Sequence, residues 1–475
     1  MIVPFISESV TFSARNLGHV IHPSIRQFVI SALICIAAHL CLCAEQKHAL
    51  PAIADVAAQK IQAGEFESAC DVLQKALQQT PKDVELWNLL GIAETELHRP
   101  TAAQDAFQHG LQLAPDSVSL NENIGFLFYR QANYTFAKRY LGRAVSLGSQ
   151  KSGVLFSLAA SRLRTGEREK ALLELKSLES SLGSFSDYWV ERGTAELPHD
   201  TAAAETSFAR ALDLAPASVP ALNGAAYVAE AQDLDEKALS FLIKARKAKP
   251  NDVPTLMHFA NVCLRRDLGP DAVEALEKAR SLDPSNNSAL YLLARADIAV
   301  ENWQTSYDLF KTFANRVPNF AATYYAMGWI DIKLNRIDDA RQQLKRSLAL
   351  DPNLSDARYE LAQLDLNDGQ LDSAERLLRT VLEQNPRHAK ANMAMGDLTL
   401  RRGNLEAAGN FLKTAIHEDP KLAAAHYKLA MLFFRKHEMQ QGENEKALAA
   451  SLNAQAREAG KTQLRLAMPQ SNPVQ

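Results

Sequence analysis

The chain has 475 residues, a formal net charge of −3 at pH 7 and a hydrophobic fraction of 47%. The hydrophobic fraction is ordinary for a folded protein and excludes a chain that is disordered throughout. The near-neutral charge argues against a general nucleic-acid binder.

The first 44 residues predict an export segment that is separate from the fold. Arg26 precedes an apolar run at 28–38, and small residues follow before Glu45. This order is typical of a secretory signal peptide. We therefore expect residues 1–44 to be removed and the mature protein to be periplasmic or secreted. The alternative is an uncleaved anchor at 28–44, which would be the protein's one membrane contact.

After this segment, small residues recur in a helical register. In the stretch "LWNLLGIAE", Gly91 shares a helix face with Trp87 and Leu90. The same slot recurs every 34 residues, with one slip of a single residue after the third member. The series is Gly91, Gly125, Ala159, Ala226, Ala260, Ala294, Gly328, Ala362, Gly396 and Ala430.

The unit that contains Gly91 predicts a pair of short amphipathic helices. "VELWNLLGIAETEL" is the first helix, "HRP" breaks it, and "TAAQDAFQHGLQLAP" is the second helix, which Pro115 ends. Two helices can approach closely only where side chains are small, and Gly91 and Ala103 meet that need. Trp87 and Phe107 would fill the flanking volume. The helix contact offsets the propensity cost of glycine, roughly 1 kcal/mol against alanine.

The motifs "WNLLG", "AQDAF" and Pro115 resemble the tetratricopeptide repeat, whose unit is a helix–turn–helix of about 34 residues. The resemblance extends from about 50 to 457. It implies an all-α fold, a right-handed α-solenoid (superhelix) of about twelve repeats. The twelve units begin near Leu50, Val84, Val118, Ser152, Phe185, Val219, Val253, Asn287, Ala321, Ser355, Ala389 and Ala423.

The fourth and fifth units depart from the pattern. Ser149 and Gly183 replace prolines, and the next turn is one residue shorter. These changes predict an irregular seam at 179–200 between repeats 1–4 (50–178) and repeats 5–12 (185–441). Neutral drift in a tolerant loop is the alternative.

The end of the chain is more polar than the earlier second helices. Residues 442–457 predict a polar capping helix, because a stack of repeats must cover its last apolar face. Residues 458–475 predict a disordered tail.

No catalytic, cofactor-binding or metal-binding motif is found in the sequence. The letters "GKT" at 460–462 lack the upstream glycine of a phosphate-binding loop, and the histidines have no ligand spacing. We therefore expect a protein that is not an enzyme and that uses no cofactor, metal or nucleic acid.

A stripe of aromatic and basic residues recurs on the first helices after residue 253. The tetratricopeptide resemblance implies that such a stripe lines a concave groove that binds peptides. The alternative is that these residues follow the family consensus without binding anything. The predicted partner-binding residues are Arg265, Tyr291, Tyr325, Trp329, Lys333, Tyr359, Met393, Arg401, Tyr427 and Arg435.

The resulting functional hypothesis is a non-enzymatic scaffold that holds a protein or peptide in this groove. Exposed rings flanked by cations suit a ligand with apolar side chains and acidic groups. Two alternatives remain open at this point. One is an accessory subunit of an envelope polysaccharide or protein export machine, and the other is a regulatory subunit of a separately encoded glycosyltransferase.

Overall fold

The structure is a computed structural model that describes residues 52–197 and 199–459, with the backbone alone at 456–459. The export segment predicted at 1–44 and nearly all of the tail predicted at 458–475 lie outside the described residues. Contacts between Cα atoms divide the chain after Ala248. Unit 1 is the part up to Ala248, and unit 2 is the part from Lys249 onward.

In unit 1, six helix pairs and one short additional helix are described. They are α1 (Ile53–Gln62), α2 (Phe66–Gln79), α3 (Val84–Glu96), α4 (Pro100–Leu113), α5 (Val118–Arg130), α6 (Tyr134–Ser146), α7 (Ser152–Arg164), α8 (Arg168–Ser177), α9 (Glu179–Leu182), α10 (Ser186–Glu196), α11 (Thr201–Leu214), α12 (Val219–Ala231) and α13 (Asp235–Ala248).

In unit 2, six further pairs are described. They are α14 (Val253–Arg265), α15 (Gly269–Leu282), α16 (Asn287–Ala299), α17 (Trp303–Arg316), α18 (Ala321–Lys333), α19 (Ile337–Leu350), α20 (Ser355–Asn367), α21 (Leu371–Gln384), α22 (Ala389–Arg401), α23 (Leu405–Glu418), α24 (Ala423–Arg435) and α25 (Met439–Ala459). The predicted all-α class and the twelve helix pairs are confirmed, and the described ranges contain no strand.

The small residues lie where the two helices of a pair meet. Gly91 is buried on α3, and a Cβ atom placed there would come within 2.4 Å of the Phe107 ring on α4. Ala103 is fully buried on α4. The pairing of a large residue with a small one is therefore a packing requirement, as the sequence predicted.

The turn inside a pair has one left-handed residue and a Schellman pattern of hydrogen bonds. At the first such turn of unit 1, Gly64 has φ +79°, and the Glu65 N–H donates to the Lys60 carbonyl. Later turns place non-glycine residues there, at a strain of roughly 1 kcal/mol each. These are His98, Ala132, Asp233, Asp267, Glu301, Asn335 and His437.

The fourth residue of many first helices secures the turn that precedes it. The Trp87 Nε1–H donates to the Pro81 carbonyl at 2.8 Å, and its ring stacks on His109 at 4.7 Å. Other side chains make the same bond to the carbonyl six residues earlier, namely Asn121, Trp189, Tyr324, Arg358, Asn392 and His426. This helix position accordingly holds hydrogen-bond donors of several sizes. It fixes the preceding turn in addition to filling volume.

The segment predicted as a seam contains α9, α10 and short turns beside them, and Pro198 lies outside the description. Leu178, Leu182 and Tyr188 are buried in one cluster with Phe156. The seam at 179–200 stays a prediction, and the division of the chain by contacts falls later, after Ala248.

The last described helix, α25, spans the residues predicted to form a polar cap. It has 21 residues, and Ala449 is buried on it while most of its neighbours are exposed. Glu445 on α25 lies 2.6 Å from Nδ1 of the buried His426 on α24. One helix face therefore covers the preceding helix while the other faces solvent.

Candidate ligand-binding face

The ten predicted binding residues all lie on first helices of unit 2. Arg265 is on α14 and Tyr291 is on α16, and the other eight are on α18, α20, α22 and α24. Each of these last four helices contacts the next one in the row. We call the side of α18, α20, α22 and α24 that carries these eight residues the first-helix face.

Two of the predicted aromatic residues are buried, so the expectation that they are exposed is wrong. Tyr291 is 1% exposed and contacts Phe310, Phe313 and Phe320 at ring distances of 5.2 to 5.5 Å. Tyr325 is 4% exposed in the core cluster of α18, α19 and α20. The fifth residue of a first helix is covered by the following repeat, and a large ring fills that space.

The remaining members of the same slot become more exposed along the chain. Tyr359 and Met393 are partly buried against the cores of the next repeats. Tyr427 is 49% exposed, and Met431, one turn later on α24, is also exposed. In the described chain only α25 follows α24, so no further first helix covers Tyr427.

Trp329 lies within an aromatic and cationic group on α17 and α18. Its ring is 5.6 Å from the Trp303 ring, in an edge-on arrangement. The ammonium group of Lys333 lies 4.8 Å from the centre of the Trp329 ring. Trp329 is partly exposed and Lys333 is exposed, so both are accessible to a ligand.

Two of the three predicted arginines, Arg401 and Arg435, are held by groups of the protein itself. Arg401 donates to the Leu366 carbonyl at 2.8 Å and lies 2.9 Å from Asp397, and Arg435 donates to the Leu400 carbonyl. Each guanidinium therefore satisfies a carbonyl at the C-terminal end of the preceding first helix. Their availability to acidic groups of a ligand is lower than the sequence suggested.

Sequence reasoning missed an acidic pair on the same face. Asp356 and Glu360 lie one turn apart on α20, on either side of Tyr359 in sequence. Burial raises the pKa of both carboxyl groups. Their spacing of four residues beside the tyrosine stripe is a signal in the sequence, but the predicted stripe includes only aromatic, basic and methionine residues.

The described residues have few other features of a binding site. They contain no group of three or more His, Cys, Asp or Glu side chains that could hold a metal ion. No described helix is long and apolar enough to cross a membrane. An open cleft of about 630 Å³ lies in unit 1 between α4 and α6 and includes Arg139, Tyr140 and Arg143.

Comparison with known proteins identifies the repeat. Tetratricopeptide repeat family profiles match residues 60–118 and 331–398. No curated relative matches the chain significantly.

Solved structures also resemble the chain. They include YrrB, a tetratricopeptide repeat protein with an unusual peptide-binding site (17% identity, TM-score 0.34, covering 39% of this chain and 95% of that one). They also include the Cut9–Hcn1 hetero-tetramer of the APC/C (13% identity, TM-score 0.46, covering 85% of this chain and 96% of that one). Yeast Tom70 is a third (14% identity, TM-score 0.36, covering 85% of this chain and 96% of that one). At TM-scores below 0.5, none of these likenesses extends to function.

Twelve helix pairs with a period of 34 residues define this chain as a helical-repeat protein. The two family matches give the particular class, because they identify tetratricopeptide repeats at residues 60–118 and 331–398. Both matches are to a repeat and neither is to a catalytic family.

Proposed function

We propose that this protein is a non-enzymatic scaffold that binds an extended segment of a partner protein along the first-helix face. The observation that carries this proposal is the accessible Trp329, held between Trp303 and Lys333. Partly exposed tryptophans with rigid surroundings are typical anchors of protein interfaces.

A second group on this face suits a peptide backbone. The amide Nε2 of Gln363 on α20 is buried and has no hydrogen-bond partner among the described residues. Leaving a buried amide unbonded costs free energy. The carbonyl of an extended ligand would provide the missing acceptor.

The test uses a display library of random peptides selected on the mature chain. We expect Trp329→Ala to weaken binding of the selected peptides by roughly 1–3 kcal/mol, a typical loss at an interface hot spot. The control is Tyr227→Ala, which removes an exposed ring at the corresponding helix position in unit 1. Circular dichroism verifies that both variants keep the parent's helix content.

Two results would contradict the proposal. If the selected peptides bind Trp329→Ala and the parent with equal affinity, the first-helix face is not the binding site. Equal losses in Trp329→Ala and Tyr227→Ala would place the binding energy elsewhere or spread it over both units.

We also propose that the scaffold acts outside the cytoplasm. The charge and apolar run of residues 26–38 support this location. N-terminal sequencing of protein from fractionated cells is expected to begin at Ala44 or Glu45. A purified chain that still contains Phe28 would support the anchor alternative.

A further inference from the structure

The first-helix face contains two carboxylates that the protein itself leaves unpaired. Asp356 and Glu360 are partly buried on α20, and neither makes a hydrogen bond or ion pair to a residue that the structure describes. Asp397 on the next first helix differs, because Lys428 and Arg401 both contact it, at 2.6 and 2.9 Å. The unpaired state is therefore particular to α20.

A tyrosine hydroxyl from the neighbouring helix belongs to the same group. Tyr325 is only 4% exposed, and it belongs to the same buried cluster as Ala357 and Leu361 of α20. Its hydroxyl has no hydrogen-bond partner in the described part of the chain. Burial raises the pKa of Tyr325, and the charges of Asp356 and Glu360 raise it further, so the hydroxyl stays protonated near both carboxylates.

The nearby cations do not form ion pairs with these two carboxylates. Lys390 and Lys333 lower the pKa of Glu360, but burial has the larger effect and the pKa remains raised. His388 and Lys390 act on Asp356 in the same way, with the same net direction. Both lysines are exposed, and neither approaches these carboxylates within ion-pair distance among the described residues.

Two half-buried carboxylates without partners destabilise the fold, since burial makes the ionised form of each less stable than it is in water. Carboxyl groups whose pKa is raised by burial in this way are candidates for binding groups.

We propose that Asp356, Glu360 and the hydroxyl of Tyr325 bind a basic side chain of the ligand, the ammonium of a lysine or the guanidinium of an arginine. The proposal rests on the scaffold function above and specifies its ligand. A basic group would give both carboxylates a charge-assisted hydrogen-bond partner. The Tyr359 ring beside them offers a face to its apolar stem.

The experiment compares peptides selected by display on the parent chain. We expect these peptides to be enriched in lysine or arginine. Replacing the enriched basic residue by norleucine is expected to weaken binding to the parent about tenfold or more, as for a lost hydrogen bond to a charged group.

Three variants complete the design. In Asp356→Asn/Glu360→Gln, the same norleucine replacement is expected to change affinity less than about twofold, and the unfolding midpoint at pH 7.5 is expected to be no lower than the parent's. Glu383→Gln/Glu406→Gln removes two exposed carboxylates from second helices and controls for net charge. Tyr325→Phe keeps the packed ring and is expected to weaken the basic peptide several-fold.

The outcomes separate this inference from the scaffold function. Peptides that depend on Trp329 but show no basic enrichment would overturn the inference and leave the scaffold intact. Equal norleucine effects in the parent and in Asp356→Asn/Glu360→Gln would do the same. If no peptide is selected, or none depends on Trp329, the scaffold function fails and the inference fails with it.

Discussion

Single residues set the distance between the paired helices. Gly91 lies under the Phe107 ring, and in the fifth pair a Cβ atom placed at Gly193 on α10 would come within 3.0 Å of the Phe208 ring on α11. Large and small residues must therefore change together at these contacts. Other buried groups, such as Asp331 on α18, influence stability through charge.

The first prediction concerns two glycines in helices. Gly91→Ala is expected to lower the free energy of unfolding by about 1–3 kcal/mol, because the new methyl group overlaps Phe107 and overpacking outweighs the helix propensity of alanine. Gly142→Ala is the matched control, since its Cβ would lie 3.9 Å from Leu158. It is expected to stabilise by about 1 kcal/mol. Urea denaturation of both variants checks the opposite signs, and two changes of the same sign would contradict the packing account.

The second prediction concerns pH. Burial raises the pKa of Asp331 to about 6, with Arg336 opposing the change and Asp339 adding to it. Because the folded state binds this proton more tightly than the unfolded chain, the contribution to stability is fully present below about pH 4. It is lost as the pH rises through 6, and its size is about 3 kcal/mol.

Asp331→Asn is therefore expected to flatten the pH dependence of unfolding between pH 4 and 7. Circular dichroism in urea, at a series of pH values, measures this slope. The control is Asp338→Asn, which changes an exposed carboxyl group of the same repeat. A slope that is unchanged in Asp331→Asn would show that this carboxyl group does not titrate in that range.

At the scale of elements, each repeat uses the same local devices with different residues. The fourth residue of a first helix donates to the preceding turn in seven repeats, through tryptophan, tyrosine, asparagine, arginine or histidine. The turn within a pair has a left-handed residue that is glycine in some repeats and a larger residue in others. A conserved backbone geometry is thus reached by variable side chains.

The third prediction tests the turn geometry. Ala132 has φ +56°, a conformation that costs an L-residue roughly 1 kcal/mol. Ala132→Gly is expected to raise the unfolding free energy by up to about 0.5 kcal/mol, the gain from relieved strain less the added freedom of the unfolded chain. Gly166→Ala, at the corresponding turn with φ +87°, is the reverse control and is expected to destabilise. Urea denaturation measures both changes, and a loss of stability in Ala132→Gly would refute the strain argument.

At the scale of the whole molecule, the repeats group into two units that each contain their own buried clusters. Unit 1 includes the cluster around Phe156, Leu178 and Tyr188, and unit 2 includes the cluster around Tyr325 and Leu344. Repeat proteins gain stability from neighbouring repeats, so a cut between units disturbs less packing than a cut within a cluster.

The fourth prediction compares two ways of dividing the chain. Fragments 45–248 and 249–475 are each expected to be helical and to unfold cooperatively. Fragments divided between Gly183 and Ser184 are expected to be less stable, because that cut separates Leu182 from Tyr188. Circular dichroism with thermal unfolding measures both pairs. If the division at 183 gave the more stable fragments, the seam at 179–200 would be the true boundary.

The sequence by itself determined the all-α class, the twelve units and the close helix contacts, since these follow from local periodicity. Gly91 and Ala103 recur in register because every pair needs the same short distance between its helices. Only the tertiary structure decided which residues of the tyrosine stripe remain exposed, since the following repeat covers Tyr291 and Tyr325 but not Tyr427. It also decided that Arg401 is held by a carbonyl of the preceding repeat. The unpaired state of Asp356 and Glu360 likewise depends on neighbours from three helices. The distances between those helices cannot be read from the sequence pattern of one helix.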